Sequence, residues 1–349
     1  MYRFPKLKFQ SIITMFREFV LSHCYPGPQN DNSVNCALKL MKMLFESNQI
    51  SKNISISEFY IPEISQNLDF KREYKCWKDS KSASKFSFFK YPFIFDPIAK
   101  TRIMHIDALF QMSGEFEEAY VSQALVFHAQ KFLEHNEQLS GLEEKMQTAA
   151  NTFLVLEIRR HSMIEDTIEQ LRKKSLDLKK AIKVKFIDGG EVGMDQGGVQ
   201  KEFFQLIISE LLDATYGLFV YDEQTRYCWL NPEATNRDMY FELIGILIGL
   251  AVYNGIILGA SFPHIFYKKL LDEKVVFDDF VQAFPQLGEG LQQLLHWDEG
   301  DVEDIFQRSF EISYQHLGEI KSKSLIPNGE NIPVTNENRK GKQRLLFKI

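Results

Sequence analysis

A chain of 349 residues that is 44% hydrophobic and 13% aromatic has enough apolar surface for one large core or two smaller ones. Its formal net charge of -6 argues against nucleic acid as a partner, because general affinity for phosphates comes from Lys and Arg that displace counterions. The four cysteines, Cys24, Cys36, Cys76 and Cys228, include no CxxC pair, which argues against a disulfide framework or a zinc ribbon and points to a reducing, cytoplasmic setting.

The opening MYRFPKLKFQSIITMFREFV places basic residues before an apolar stretch. Arg17 and Glu18 interrupt that stretch and no small-residue cleavage site follows, so it reads as an amphipathic helix and not as a signal peptide. Apolar spacing predicts helix through residues 1–50, broken by the loop HCYPGPQNDNS. An aromatic and proline-rich region follows, in which SKSASK reads as a flexible joint and YPFIFDP as an apolar strand or extended anchor. Residues 102–150 turn helical, and FLVLEIRR (Phe153 to Arg160) is β-prone. Next comes a helix with Met163, Ile164, Ile168 and Leu171 on one face and RKK at its C-terminal end, where cations complement the helix dipole. AIKVKFID turns Ile182, Val184 and Phe186 inward against Lys183 and Lys185, the signature of a half-buried strand.

EVGMDQGGVQKEFFQLIISELLD is a glycine turn running into a strong helix. GLFVYDEQTRYCWLNP is a β-hairpin with its turn near Asp222 to Thr225. LIGILIGLAVYNGIILGASF, Leu243 to Phe262, is uncharged and long enough to span a bilayer. Asn254-Gly255 is a stop signal inside it, so a buried core helix followed by a separate short element is the preferred reading, with no membrane partner. FPHIFYKKLL adds another helix. Strands scattered among helices predict a helix-dominated α+β fold.

Few stretches suggest chemistry by themselves. DQGG before a helix could present backbone N–H groups to an anion, but it lacks the P-loop ending GK[ST] and reads first as a tight turn capped by Asp195. The eight histidines form no HExxH, no GxSxG occurs, and no metal or cofactor is implied. Cys228, between Tyr227 and Trp229, has only Arg226 nearby to lower its pKa and reads as structural. The most informative surface is PQLGEGLQQLLHWDEGDVEDIF. Leu287, Leu291, Leu294 and Leu295 share a helical face, Trp297 lies one turn beyond Leu294, and Asp298, Glu299, Asp301, Glu303 and Asp304 follow. The simpler reading is an amphipathic helix leading into a solvated loop; the alternative is a docking ridge with an acidic rim that steers a basic partner.

Seven stretches in order, YPFIFDPIAK, LEIRRHSMIEDTIEQL, DQGGVQKEFFQLIISELL, YGLFVYDEQTRYCWLNP, ELIGILIGLAVYN, FPHIFYKKLL and IPNGENIPVTNENRK, resemble the N-terminal lobe of HECT-type E3 ubiquitin ligases. FYIPEI and YPFIFD are similar to the small HERC subgroup. The resemblance covers residues 91–340. It implies a larger helical subdomain with a β-hairpin and a smaller subdomain that binds the ubiquitin-conjugating E2 enzyme. In the family, a separate C-lobe carries a cysteine in a Thr-Cys motif, which accepts ubiquitin as a thioester before a substrate lysine does.

No Thr-Cys pair occurs in this sequence, so the resemblance supplies no catalytic residue here, and the C-lobe is expected to be absent. Residues 1–90 are then expected to precede the HECT domain, 91–150 to lead into it, 151–340 to form an incomplete N-lobe, and 341–349 to be a divergent basic tail. Matched position by position, the E2 contacts fall on Leu287, Leu291, Leu294, Trp297, Asp304 and Phe306, the last two after a one-residue insertion. The expectation is an incomplete HECT ligase that engages an E2 carrying ubiquitin or a ubiquitin-like modifier. The alternative is a non-catalytic E2-binding protein that competes with intact ligases.

Overall fold

The computed structural model describes residues 5–24, 31–51, 53–79, 86–133, 151–188, 197–231, 233–234, 237–316 and 319–346. The chain divides into two compact units. One comprises residues 1–160, 169–195 and 250–256, and the other 161–168, 196–249 and 257–349. The SKSASK joint and Asp195 lie outside the described residues.

The first unit opens with α1 (Lys6–Cys24), α2 (Asp31–Ser51), α3 (Pro62–Asn67) and α4 (Phe70–Asp79). Helix α5 (Pro97–Leu133) starts earlier than its apolar spacing suggests. Asp96 Oδ1 accepts the Ala99 N–H at 2.7 Å and Pro97 takes the first helical position, where its missing N–H costs nothing. Of the expected helix to residue 150, residues 134–150 lie outside the described set.

The core of this unit is built on aromatics. Phe59 is fully buried, with Phe45 edge-on at 5.2 Å and Phe93 at 6.3 Å. The strand that YPFIFDP suggested is not formed. Residues Phe88–Lys90 and Pro92–Ile94 wind into 3-10 turns, and Phe88, Phe89, Tyr91, Phe93, Ile94 and Phe95 are all buried. Pro92 has no N–H to give to a ladder, and a stretch buried on every side lacks the two-residue alternation of a half-exposed strand.

Strands β1 (Leu154–Ile158) and β2 (Ile182–Phe186) pair in parallel, Leu154 opposite Ile182 and Ile158 opposite Phe186. Their alternating burial is the one read from AIKVKFID. A parallel pair needs a crossover, and α6 (Met163–Lys173) lies in the connection.

In the second unit, Gly197 at φ +86° leads directly into α7 (Gly198–Leu211), whose Phe203, Phe204, Ile207 and Leu211 are fully buried. Strands β3 (Phe219–Tyr221) and β4 (Cys228–Leu230) form the expected antiparallel hairpin. Asp222 Oδ1 closes its turn by accepting from Gln224 N at 2.8 Å and Thr225 N at 3.2 Å.

The long apolar run divides where Asn254-Gly255 indicated. Helix α8 (Asp238–Tyr253) stops, Gly255 takes φ +67°, and Ile256 N–H returns to Ala251 O at 2.8 Å, the six-to-one bond of a Schellman end. Among the described residues no helix is long and apolar enough to cross a membrane. Helices α9 (His264–Leu270), α10 (Phe277–Ala283), α11 (Pro285–His296) and α12 (Val302–Phe306) follow, then the antiparallel hairpin of β5 (Glu311–His316) and β6 (Glu319–Ser324), and α13 (Arg339–Leu346). The boundary expected at residue 341 falls inside α13. The architecture is helix-dominated α+β.

Candidate docking surface

Helix α11 begins with Pro285 at its first position and lies very close to α10. A Cβ added at Gly288 would sit 2.7 Å from the Val281 Cα, so only glycine lets the two backbones approach this far. Helix α10 is itself fixed by Asp279. Its carboxylate accepts from Val276 N at 2.8 Å, capping the helix, and from the Lys268 ammonium of α9 at 2.7 and 2.8 Å. The Lys268 and Asp279 side chains are 15% and 10% exposed, so the pair is shielded from solvent screening.

The leucine ridge is split between interior and surface. Leu291 is buried with Ile265, Phe280 and Ala283, with Trp229 packed alongside. Leu294 is buried with Val302, Phe310 and Val334. Leu287 is 40% exposed and Leu295 half-buried. Trp297 and Phe306, both half-buried, meet edge-on with ring centroids 5.5 Å apart at 86°. Asp304 is exposed, as is Ile305 at 57%, which the sequence reading did not single out.

Thus Leu287, Trp297, Phe306 and Asp304 reach the surface, while Leu291 and Leu294 anchor it from beneath. One member of the acidic rim has a local duty: Asp301 Oδ1 accepts from Glu303 N at 3.1 Å and caps α12. Glu303 and Asp304, with Gln307, Arg308 and Ser309, line an adjoining hollow of about 460 Å³.

Two cations of α13 reach the same region. Arg339 Nη1 donates to Leu294 O at 3.2 Å and to Trp297 O at 2.6 Å. Lys342, buried, donates from Nζ to Ser309 O at 2.7 Å. Burial first, and then the charge of Arg308, pull its pKa below the ordinary lysine range against an opposing contribution from Glu311. A sequence signal for this helix does exist. Thr335 and Asn338 stand three apart, and each side chain accepts from the other's backbone N–H, at 2.8 Å from Thr335 N and 3.4 Å from Asn338 N, as in a capping box.

Cys228 is buried, and that burial pushes its thiol up from the ordinary value. A nucleophilic cysteine needs the opposite shift. Among the described residues no cluster of three or more His, Cys, Asp or Glu is placed to hold a metal.

Residues 205–346 match the model of the HECT domain, described as a ubiquitin-transferase. The chain is 36% identical over 319 residues to the human probable E3 ubiquitin-protein ligase HERC3, and 34% identical over 321 residues to human HERC4; each match covers 88% of this chain. The chain belongs to the HECT family. It is also 31% identical over 358 residues to mouse HECTD2, another probable E3 ubiquitin-protein ligase, with 95% of this chain covered. It spans only 29% of the length of HERC3 and HERC4 and 43% of HECTD2. The HECT match ends with α13, so Arg339 and Lys342 lie within it.

Proposed function

We propose that this HECT chain recruits a ubiquitin-conjugating E2 enzyme through the surface formed by α11, the 297–301 turn and α12. The observation that carries the reading is the accessible Trp297–Phe306 pair above a leucine layer already committed to the core, with Leu287 exposed on the same helix. Aromatic anchors in a well-packed setting supply most of the free energy of a protein interface, and an acidic residue such as Asp304 steers a basic partner. Leu287, Trp297, Phe306 and Asp304 contact the E2, and Leu291 and Leu294 hold the contact residues in place. The reaction served is transfer of ubiquitin, or a related modifier, to protein lysines in the reducing cytoplasm, a setting suited to four cysteines that form no disulfide.

The test is equilibrium binding of the purified chain to a panel of ubiquitin-conjugating enzymes. At least one should bind, and Trp297→Ala with Leu287→Ala should weaken it by more than tenfold; undiminished binding by both variants would sink the proposal. A second reading, that this chain binds the E2 without accepting ubiquitin itself, is favoured by the burial and raised pKa of Cys228. It expects no reducible ubiquitin adduct after incubation with charged E2 on non-reducing gels. A robust adduct lost in Cys228→Ser would refute it.

A further inference from the structure

We propose that Arg339 is a positioning residue for the E2 surface: by capping the C-terminus of α11 through the Leu294 and Trp297 carbonyls, it sets where the Trp297 ring stands. This inference rests on the docking role proposed above for that surface.

The last four carbonyls of a helix lack partners within it, and the common remedy is a left-handed glycine just past the end. Helix α11 has no such glycine. Trp297 leaves it with φ -63° and ψ 126°, an extended conformation. The cap is supplied by a side chain 42 residues further along the chain, the Arg339 guanidinium, at 2.6 Å from Trp297 O and 3.2 Å from Leu294 O. A cation at a helix C-terminus also faces the negative end of the dipole, so charge and geometry act together.

Trp297 depends on that clamp because little else fixes it by polar contact. Its Nε1 is buried and finds no hydrogen-bond acceptor among the described residues. The ring is therefore held by packing, edge-on against Phe306 and beside the cluster of Leu294, Val302, Phe310 and Val334, while its backbone is held by Arg339. Lys342, one turn along α13, holds the far end of the same segment at Ser309 O. Two cations of one helix thus bracket residues 297–309, the stretch that carries Trp297, Asp304 and Phe306. Arg339 acts through Trp297 and Leu294 and need not touch the E2.

The experiment uses the full chain with Trp77→Phe and Trp229→Phe, so that Trp297 is the sole tryptophan. Acrylamide quenching reports exposure of the ring without any partner, and titration with the best-binding E2 of the panel gives Kd. Arg339→Ala is expected to raise quenching and to weaken E2 binding roughly tenfold, the scale of one lost charge-assisted hydrogen bond. Arg339→Lys, which keeps the charge but not the planar fork, should recover part of both losses. If Arg339→Ala fails to give a cooperative melt, Arg339→Lys is read alone and must show more quenching and weaker E2 binding than the parent.

Quenching and Kd both unchanged from the parent in the folded variants would overturn the inference, as would a displaced ring with unchanged Kd. A parent chain that binds no E2 would overturn the docking proposal itself and this inference with it. That failure is visible before any Arg339 variant is made, so the two can be told apart.

Discussion

The edge of one aromatic ring meets the face of another where α11 ends and α12 ends: Trp297 and Phe306, centroids 5.5 Å apart and nearly perpendicular at 86°. Perpendicular aromatic pairs contribute about 0.5–1.5 kcal/mol beyond their buried area. If the pair acts as one docking element, Trp297→Ala and Phe306→Ala should each weaken E2 binding, the first by about 2 kcal/mol or more as befits an interface anchor. The double variant should lose less than the sum, because each single variant already disturbs the ring that remains. Titration calorimetry on the four proteins of the cycle measures it, and strict additivity would mean the rings contribute independently.

Gly288 and Gly290 stand two residues apart on α11 and should respond to alanine with opposite signs. A Cβ at 288 would meet the Val281 Cα at 2.7 Å, a backbone atom that cannot swing away, whereas nothing lies within 4 Å of a Cβ at 290. Alanine favours helix over glycine by about 1 kcal/mol. At 290 that gain stands alone, so Gly290→Ala should raise Tm. At 288 it is set against overpacking that costs roughly 1–3 kcal/mol, and the net should be destabilising. Thermal melts of the two variants decide; a stabilised Gly288→Ala would show that α10 and α11 can part at little cost.

Much of this arrangement could be read from the residues. The hairpin turn at Asp222, the stop at Asn254-Gly255 and the alternation in Ile182 to Phe186 each follow from a local rule, and each appears where that rule places it. Of the two readings of YPFIFDP, strand or extended anchor, the strand failed because burial of Tyr91, Phe93, Ile94 and Phe95 removes the periodicity that separates strand from turn. The ridge of α11 was legible as apolar, but spacing could not say that Leu291 and Leu294 point into the core while Leu287 stays in solvent. That depends on Val281, Phe280 and Phe310, which come from other elements. Arg339 escaped notice for a related reason. Its partners lie more than 40 residues away, and the helix that the Thr335 to Asn338 spacing starts has no apolar residue before Leu345 to mark it.

The ion pair between Lys268 and Asp279 predicts an asymmetry between losing it and replacing it. Removing one partner of a shielded pair leaves a buried charge without compensation and costs about 3–5 kcal/mol. Asp279→Ala also strips the cap from Val276 N, so it should lie at the upper end of that range. Asp279→Asn keeps an acceptor for the cap and a carbonyl for Lys268, and should cost clearly less. Denaturant unfolding at fixed pH reads both. Equal losses would mean that the charge, which both variants remove, carries the whole effect and that the hydrogen bonds asparagine keeps contribute nothing.

Tyr216 gives a prediction at alkaline pH. Its hydroxyl donates to Glu210 Oε1 at 2.9 Å. Burial first, and then that carboxylate, push its pKa from 10.0 to about 12. In the unfolded chain the phenol ionises near its ordinary value, so between the two values the unfolded state binds fewer protons than the folded one. Stability therefore falls as pH rises through that window: the contribution is complete below the unfolded pKa and is lost by the folded one. Tyr216→Phe cannot ionise at this position. Its Tm should lie below that of the parent chain at neutral pH, because the bond to Glu210 is gone, and the gap should narrow as pH climbs from about 10 towards 12. Tyr253, also raised to about 12, is present in both proteins and cancels in the difference. Thermal melts at matched ionic strength would show the narrowing, and a constant gap would mean that Tyr216 titrates alike in both states.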